Sequence, residues 1–289
     1  MLNRLVIQRL LDGEQPRMIL AFDSPGPSFR RGIYDKYKAN RPEAPMDLIP
    51  QFALIRQASA AFGVPIVEAQ MFEADDVIAT LARQAHLQGL DVNILSGDKD
   101  LMQLVTGPAV EPCIHMIDPM SMSRITYKQV VEKWGVGPEK LGDVLALAGD
   151  AVDNVPGVPG IGPKTACTLL DEYGNLENLL ANAEKIKQKV RRENLMEHAD
   201  TARMSRDLVE LREDVDSVLS ISGNLTEWRT EPLDTDRLFS FYDEMGFRDL
   251  KRRLQNSLQR GTPRKRPKSR SGKEKVEVPN PEDFLDVPF

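Results

Sequence analysis

The chain has 289 residues, 41% of them hydrophobic and 28% charged, enough to bury one sizeable core and a smaller second unit, which excludes a disordered or fibrous protein. No apolar run approaches the roughly 20 residues that span a bilayer, and the first ten residues lack a secretory h-region, so a soluble, intracellular protein with no membrane span is expected. The net charge of −6 hides an uneven distribution, since residues 251–275 carry about +10 and the body up to residue 250 about −12. Cys113 and Cys167 are too few and too far apart for a disulfide framework or a zinc site and read as small core residues.

In chain order, residues 2–11 have apolar positions at helical spacing, and after the Asp12-Gly13 turn the apolar run 18–23 ends in an acid, which predicts a helix feeding a buried strand. The same alternation predicts a helix over 47–62, a strand at 64–67, a helix over 74–88, a strand at 92–96, a short helix at 98–105 and a strand at 113–117. Short alternating units of this kind imply a parallel α/β sheet covered on both faces, here assigned to residues 1–125. From Thr126 onward the strand signal ends. Helices are predicted near 127–134, 139–148, 164–173, 176–181, 184–197 and 236–245, a helical lobe over 126–255. Residues 256–289 offer no apolar period and read as a disordered tail, basic at first and acidic at its Phe-terminated tip.

Acids gather at predicted strand ends and the helix starts that follow: Asp23; Glu73, Asp75 and Asp76; Asp98 and Asp100; Asp150 and Asp153. The carboxyl ends of parallel strands line one crevice, so these groups should converge there. So many carboxylates do not stay ionised together without cations, and oxygen-only donors select hard divalent ions, foremost Mg²⁺ with Mn²⁺ as a substitute. Two such ions would activate water and stabilise the leaving oxygen in phosphodiester hydrolysis. Taken singly, Asp75 and Asp98 also suit helix capping.

Two further segments suit nucleic acid. In the hairpin 155–166, Gly157, Gly160 and Gly162 allow tight turns or close approach of the backbone. A helix opening at Pro163 turns free N–H groups, with Lys164 and Thr165, toward a phosphate; such a contact carries no sequence information. In the segment 27–42, Arg30, Arg31, Lys36, Lys38 and Arg41 interleave with Phe29, Tyr34 and Tyr37, which predicts a mobile segment that grips a strand by charge and stacking.

The motifs Ala-Phe-Asp23, Tyr37-Lys-Ala-Asn-Arg-Pro42, Phe72-Glu-Ala-Asp-Asp76, Gly97-Asp-Lys-Asp-Leu101, Gly149-Asp-Ala-Val-Asp-Asn154 and Pro159-Gly-Ile-Gly-Pro-Lys-Thr-Ala166 resemble, in order, those of the 5′-3′ exonuclease/flap endonuclease family, notably the 5′-nuclease domain of bacterial type I DNA polymerases. The resemblance runs from about Leu2 to Leu254. It implies a PIN-like α/β nuclease core, an arch at about 27–45, and a helix-three-turn-helix that binds duplex DNA. Asp23, Glu73 and Asp75 would then belong mainly to a first metal, Asp98, Asp100, Asp150 and Asp153 to a second, with Asp76 nearby. Lys38 would contact the scissile phosphate with Arg41 and Arg30 in support, and the hairpin would hold K⁺ beside DNA. The resemblance further implies a first strand ending in Val-Asp-Gly ahead of Leu2, which Leu11-Asp12-Gly13 imitates in the wrong place. The chain therefore reads as a shortened form lacking one metal ligand.

The expected activity is Mg²⁺-dependent 5′-3′ exonuclease and flap endonuclease cleavage of DNA by a monomer in replication or repair. A catalytically impaired DNA-junction binder and, behind it, a PIN-like ribonuclease are the alternatives. The expected place is a DNA-containing compartment: a mitochondrion or plastid for a longer form, otherwise a bacterial cytoplasm or a nucleus. The tip Phe284–Phe289 resembles the acidic end of bacterial single-stranded-DNA-binding proteins and would dock a protein partner.

Overall fold

The computed structural model describes residues 17–231 and 233–259. β1 (Leu20–Ala21) leads through α1 (Arg30–Ile33) and α2 (Ile49–Ala61) to β2 (Ile66–Val67), and then through α3 (Ala74–Leu87) to β3 (Val92–Leu95). A 3-10 turn, Asp100–Leu104, precedes β4 (Ile114–Ile117) and β5 (Arg124–Ile125). The helical part comprises α4 (Tyr127–Trp134), α5 (Pro138–Ala148), α6 (Pro163–Tyr173), α7 (Leu176–Ala181), α8 (Lys189–Glu197), α9 (Ala199–Val209), α10 (Asp216–Ile221), α11 (Thr235–Glu244) and α12 (Arg248–Gln259).

The expected parallel pairings form, but not as one sheet. β1 pairs with β2, Leu20 opposite Ile66, and β3 pairs with β4, Val92 opposite Ile114, each in parallel, in two separate small sheets. β5 adds an antiparallel edge to β4; at two residues it is too short for any alternation to announce it. The short helix expected at 98–105 is the tighter 3-10 turn. The helix expected over 184–197 is broken, because Ile186 turns inward in extended backbone and Gln188 starts α8 anew by accepting from the Arg191 N–H at 3.1 Å. Helix α12 continues to Gln259, past the residue 256 at which the tail was expected to begin. The rest of that tail with its tip, the expected helix at 2–11 and Leu11-Asp12-Gly13 lie outside the described residues. Among the described residues no helix is long and apolar enough to cross a membrane.

Helix α3 is buried on two sides. Ala79 and Ala82 face the main core with Ile94, Ile114 and Met116, while Val77 and Leu81 pack with Val67, Val215 and Val218. Its position is therefore over-determined, and its N-terminus with Glu73, Asp75 and Asp76 is fixed. Helix α5 is apolar almost all round, with Leu141, Val144, Leu145, Ala146 and Leu147 buried, as befits a helix central to its lobe. The last helices return to the α/β half: α10 covers α3 through Val218, and α11 covers the end of α2 through Leu238, Phe241 and Tyr242 against Ala61 and Phe62. Cys167 is buried and Cys113 half-buried, both as free thiols.

From α5 the chain enters a loop closed by reciprocal hydrogen bonds, Asp150 N–H to Val155 O at 2.9 Å and Val155 N–H to Asp150 O at 2.8 Å. The chain then runs straight into the glycine hairpin. Gly157, at φ +62, lies against the end of α5, where a Cβ would come within 2.4 Å of the Gly149 backbone nitrogen. Gly162, at φ −92, has open space around it. Gly157→Ala should therefore cost about 2 kcal/mol or more in denaturant unfolding, from left-handed strain and backbone collision, whereas Gly162→Ala should stay within about 0.5 kcal/mol of wild type. Equal effects at the two positions would contradict this division.

Candidate metal centre and nucleic-acid interface

The segment after β1 crosses the mouth of the crevice as a strap, and its residues divide by direction. Arg30 points inward and is 2% exposed. Its Nη1 and Nη2 each donate to Asp76 at 2.7 Å, Nε donates to Leu208 O at 2.8 Å, and Nη2 also donates to Glu210 O at 2.7 Å. Fully buried Asp76 further accepts from the Glu73 N–H at 3.1 Å and the Arg212 N–H at 3.0 Å. This is a correction for two residues: Asp76 spends its oxygens on Arg30 and backbone rather than on a metal, and Arg30 is committed to Asp76 rather than to DNA. Tyr37 is 4% exposed and donates to Glu73 Oε2 at 3.2 Å; burial, with Glu73 adding to it, pushes its phenol upward. Tyr37 therefore presents no free face for base stacking. Tyr34 packs half-buried against the main core.

The strap is hydrogen-bonded to the loop after α5. Lys38 N–H donates to Asp153 O at 2.9 Å, Asn154 Nδ2 to Lys36 O at 2.7 Å and Asn40 Nδ2 to Ala151 O at 2.7 Å. Lys38 has φ +56, a left-handed backbone that a lysine adopts only when its surroundings impose it. The resulting turn aims its ammonium at Glu73 Oε2, 2.7 Å away, and Asp153 Oδ2, 3.7 Å away. Arg41 pairs with the other oxygen of Asp153.

The carboxylates converge from four elements. Asp23, exposed at the end of β1, accepts from the first N–H of α3, that of Ala74, at 2.8 Å. Glu73 and Asp75 come from the start of α3. Asp98 uses Oδ1 to cap the Asp100 N–H at 3.0 Å, and its charge acts strongly on Asp75. Asp100, Asp150 and Asp153 each offer an oxygen within 4.8 Å of the others, and Asp100 Oδ1 is buried without a hydrogen-bond partner. The loop after α5 holds Asp150 in place through the Val152 N–H, 2.7 Å from Oδ1. Lys99, between Asp98 and Asp100, hydrogen-bonds Asp150 and stands 3.4 Å from Asp100.

Crowding shows in the ionisation of these groups. Burial and then the Asp98 charge raise Asp75 to about 7, and burial raises Asp100 to about 6 against the pull of Lys99. Burial also works upward on Asp150, but the Lys99 hydrogen bond and the Val152 N–H outweigh it and hold this acid below the usual range. The cluster thus has an all-oxygen donor set, a buried oxygen met only by the Lys99 ammonium 3.4 Å away, and an excess of negative charge, which fits a hard divalent ion.

At the hairpin, Asn194 of α8 braces Pro159 O at 2.8 Å. Gly160 and Gly162 are exposed, with Gly160 at φ +74, whereas Gly157 is buried and gives its N–H to Ser205 Oγ at 3.3 Å. Gly157 therefore serves packing rather than direct DNA contact. Gly162, Pro163, Lys164 and Thr165 line a cleft of about 530 Å³ with Lys133 and Trp134 of α4, and the first turn of α6 leaves its N–H groups without intrahelical acceptors. A second cleft, of about 470 Å³, runs beside the strap between Arg31, Lys38 and Glu73. Lys99 and Lys133 are the site residues that sequence reasoning missed. Lys99 stands inside the Gly97-Asp-Lys-Asp-Leu101 motif, while nothing local distinguishes Lys133 on its helix.

Parallel strand pairs with a carboxylate cluster at their ends, followed by a helical lobe with a glycine hairpin, define a resolvase-like, PIN-type fold. Residues 3–135 match the model of the 5′-3′ exonuclease N-terminal resolvase-like domain and residues 136–236 that of the 5′-3′ exonuclease C-terminal SAM fold, and the chain belongs to the 5′-3′ exonuclease family. It is 41% identical to a 5′-3′ exonuclease of Aquifex aeolicus, covering 73% of this chain and 70% of that one. It is 51% identical to a DNA polymerase I of Rhizobium leguminosarum over 82% of this chain but only 22% of the polymerase; the chain thus spans about a quarter of the length of its polymerase relatives. Its fold is similar to that of the T5 5′-exonuclease with bound zinc, at a TM-score of 0.62 and 22% identity, covering 85% of this chain and 89% of that one.

The raised acids give the metal-free protein a defined pH dependence. Folded Asp75 and Asp100 hold their protons up to about 7 and 6, whereas in the unfolded chain they release them near 4. The folded state binds more protons between those limits, so these groups cost stability as pH rises from about 4 to 7. Asp75→Asn removes one such group. In chelator-treated protein it should raise the melting temperature relative to wild type at pH 8 and do so much less at pH 5. A gain confined to pH 5 would contradict the assignment.

Proposed function

We propose that this chain is a divalent-metal-dependent nuclease that hydrolyses DNA phosphodiester bonds at 5′ ends and 5′ flaps. The observation that carries this reading is the meeting of Asp100, Asp150 and Asp153 within 4.8 Å, beside a strap that brings Lys38 and Arg41 to Asp153. Asp100, Asp150 and Asp153 would hold one Mg²⁺, with Asp98 adjoining. Asp75, Glu73 and Asp23 would hold a second, and Mn²⁺ would suit the same oxygens. Bound there, the ions supply an activated water and charge for the departing oxygen.

The chain's own residues do the rest. Lys38 and Arg41 are held over the carboxylates by ion pairs that an incoming phosphate can take over, since a phosphate offers each cation a charged acceptor of equal kind. The first turn of α6, with Lys164 and Lys133, suits the backbone of a duplex without reading its sequence. Because the Asp150–Val155 loop continues directly into the hairpin, duplex contact and bond cleavage stand at a fixed offset, which favours cutting next to a junction over random nicking.

Cleavage of a labelled 5′-flap DNA tests this directly. Wild-type protein should cut with Mg²⁺ and not with chelator. Asp150→Asn should lose about 100-fold or more in rate while binding the flap as well or better, because the change removes both a metal ligand and a charge that repels phosphate. Wild-type turnover by the variant, or cleavage that survives chelation, would overturn the assignment. Binding of the flap by wild-type protein without cleavage in Mg²⁺ would favour a junction binder.

A further inference from the structure

Lys99 is a cation in the aspartate cluster to which the proposed hydrolysis gives no task. Lys38 and Arg41 reach the acids from the strap, on the outer side, whereas Lys99 rises from among the acids themselves. Its ammonium hydrogen-bonds Asp150 Oδ2 and lies 3.4 Å from Asp100 Oδ1, so it stands between two of the three carboxylates that converge within 4.8 Å. The Asp100 oxygen it approaches is the one that is buried with no hydrogen bond. The backbone on either side is fixed, since Asp98 Oδ1 caps the Asp100 N–H and Leu101 and Met102 are buried in the core. The four-carbon stem of Lys99 alone therefore decides where its charge sits. That side chain is 36% exposed, which leaves it an open way out to water.

An ammonium in contact with two carboxylates takes the ground a divalent ion would use, and two like charges a few ångströms apart in a partly buried site repel strongly. Lysine suits such a temporary place, because its charge is compact and its stem flexible. We propose that Lys99 is a built-in counter-ion, which holds Asp100 and Asp150 together in the metal-free protein and swings out when a divalent ion binds, so that this lysine sets the metal affinity of the cluster. The inference rests on the reading of these acids as a metal centre. It assigns to Lys99 a positioning role in that centre and no contact with substrate.

Two measurements on the full chain test it. Calorimetric titration with Mn²⁺ should show Lys99→Met, which keeps the stem and loses the charge, binding about tenfold more tightly than wild type. The same variant should melt at a lower temperature in chelator, because Asp100 and Asp150 then repel each other without relief. Reductive methylation of wild-type protein, read by mass spectrometry, should modify Lys99 faster with saturating Mn²⁺ than with chelator, while exposed Lys128 serves as an unchanged reference. This second measurement needs no variant and decides the matter even if Lys99→Met does not fold. Wild-type or weaker Mn²⁺ affinity in the variant, or Lys99 labelling that metal leaves unchanged or slows, would overturn the proposal and leave the metal centre standing. If neither wild type nor variant binds Mn²⁺, the metal-centre reading falls and the proposal with it.

Discussion

The geometry of the crevice depends on one buried ion pair. Arg30 and Asp76 face each other through two hydrogen bonds of 2.7 Å, with the guanidinium also holding the main chain at Leu208 and Glu210, and the carboxylate holding that at Glu73 and Arg212. The pair therefore joins the strap, the start of α3 and the segment leaving α9. Burying two charges is costly unless nearly every donor and acceptor is met, and here the main chain supplies what the pair leaves over. With Arg30 pinned, the strap runs past Tyr37 to the turn at Lys38, and the start of α3 presents Glu73 and Asp75 at a set distance beneath it.

Above that pinned layer the electrostatics follow from burial and crowding. Burial first, and then the neighbouring aspartates, keep protons on Asp75 and Asp100 well above the range in which exposed aspartates release them, and Lys99 offsets only part of this at Asp100. Such a cluster is stable only with partners, and Lys38, Arg41 and Lys99 supply part of the charge. The remainder is what a hard cation and a phosphate would divide between them, the cation taking the carboxylates and the phosphate taking the lysine and arginine. The loop after α5 ties this centre to the hairpin, since Gly149 and Gly157 allow the chain to double back on itself where side chains would collide. Asp150, Asp153 and the hairpin thus belong to one continuous stretch, 149–166.

Much of this was legible in the sequence because acids at the ends of apolar runs have one geometric meaning in a parallel α/β fold. Asp100, Asp150 and Asp153 meet as their motifs suggest. What spacing does not reveal is direction. Arg30 and Tyr37 belong to a segment without helical or strand period, so nothing in the chain says that these two point inward while Lys38 and Arg41 face the acids. Asp76 follows Asp75 directly, yet on a helix neighbouring residues diverge by about 100°, and one meets the crevice while the other meets Arg30. The three hairpin glycines look alike in sequence and differ by φ and by what lies over them. Lys99 sits in a quoted motif and was missed, because a lysine flanked by aspartates reads as an ordinary surface ion pair until Asp150 is found opposite it. The split into two sheets is a matter of which backbone groups meet, on which side-chain pattern is silent.

The most direct test of the account is denaturant unfolding of Arg30→Met in metal-free buffer, with Arg31→Met, an exposed neighbour, alongside. Removal of one partner from a buried, fully bonded pair should cost Arg30→Met about 3–5 kcal/mol, while Arg31→Met stays within about 0.5 kcal/mol of wild type. If Arg30→Met instead unfolds like wild type and loses only affinity for DNA, then Arg30 faces the substrate, Asp76 is free for a metal, and the pinned strap is not what organises the site.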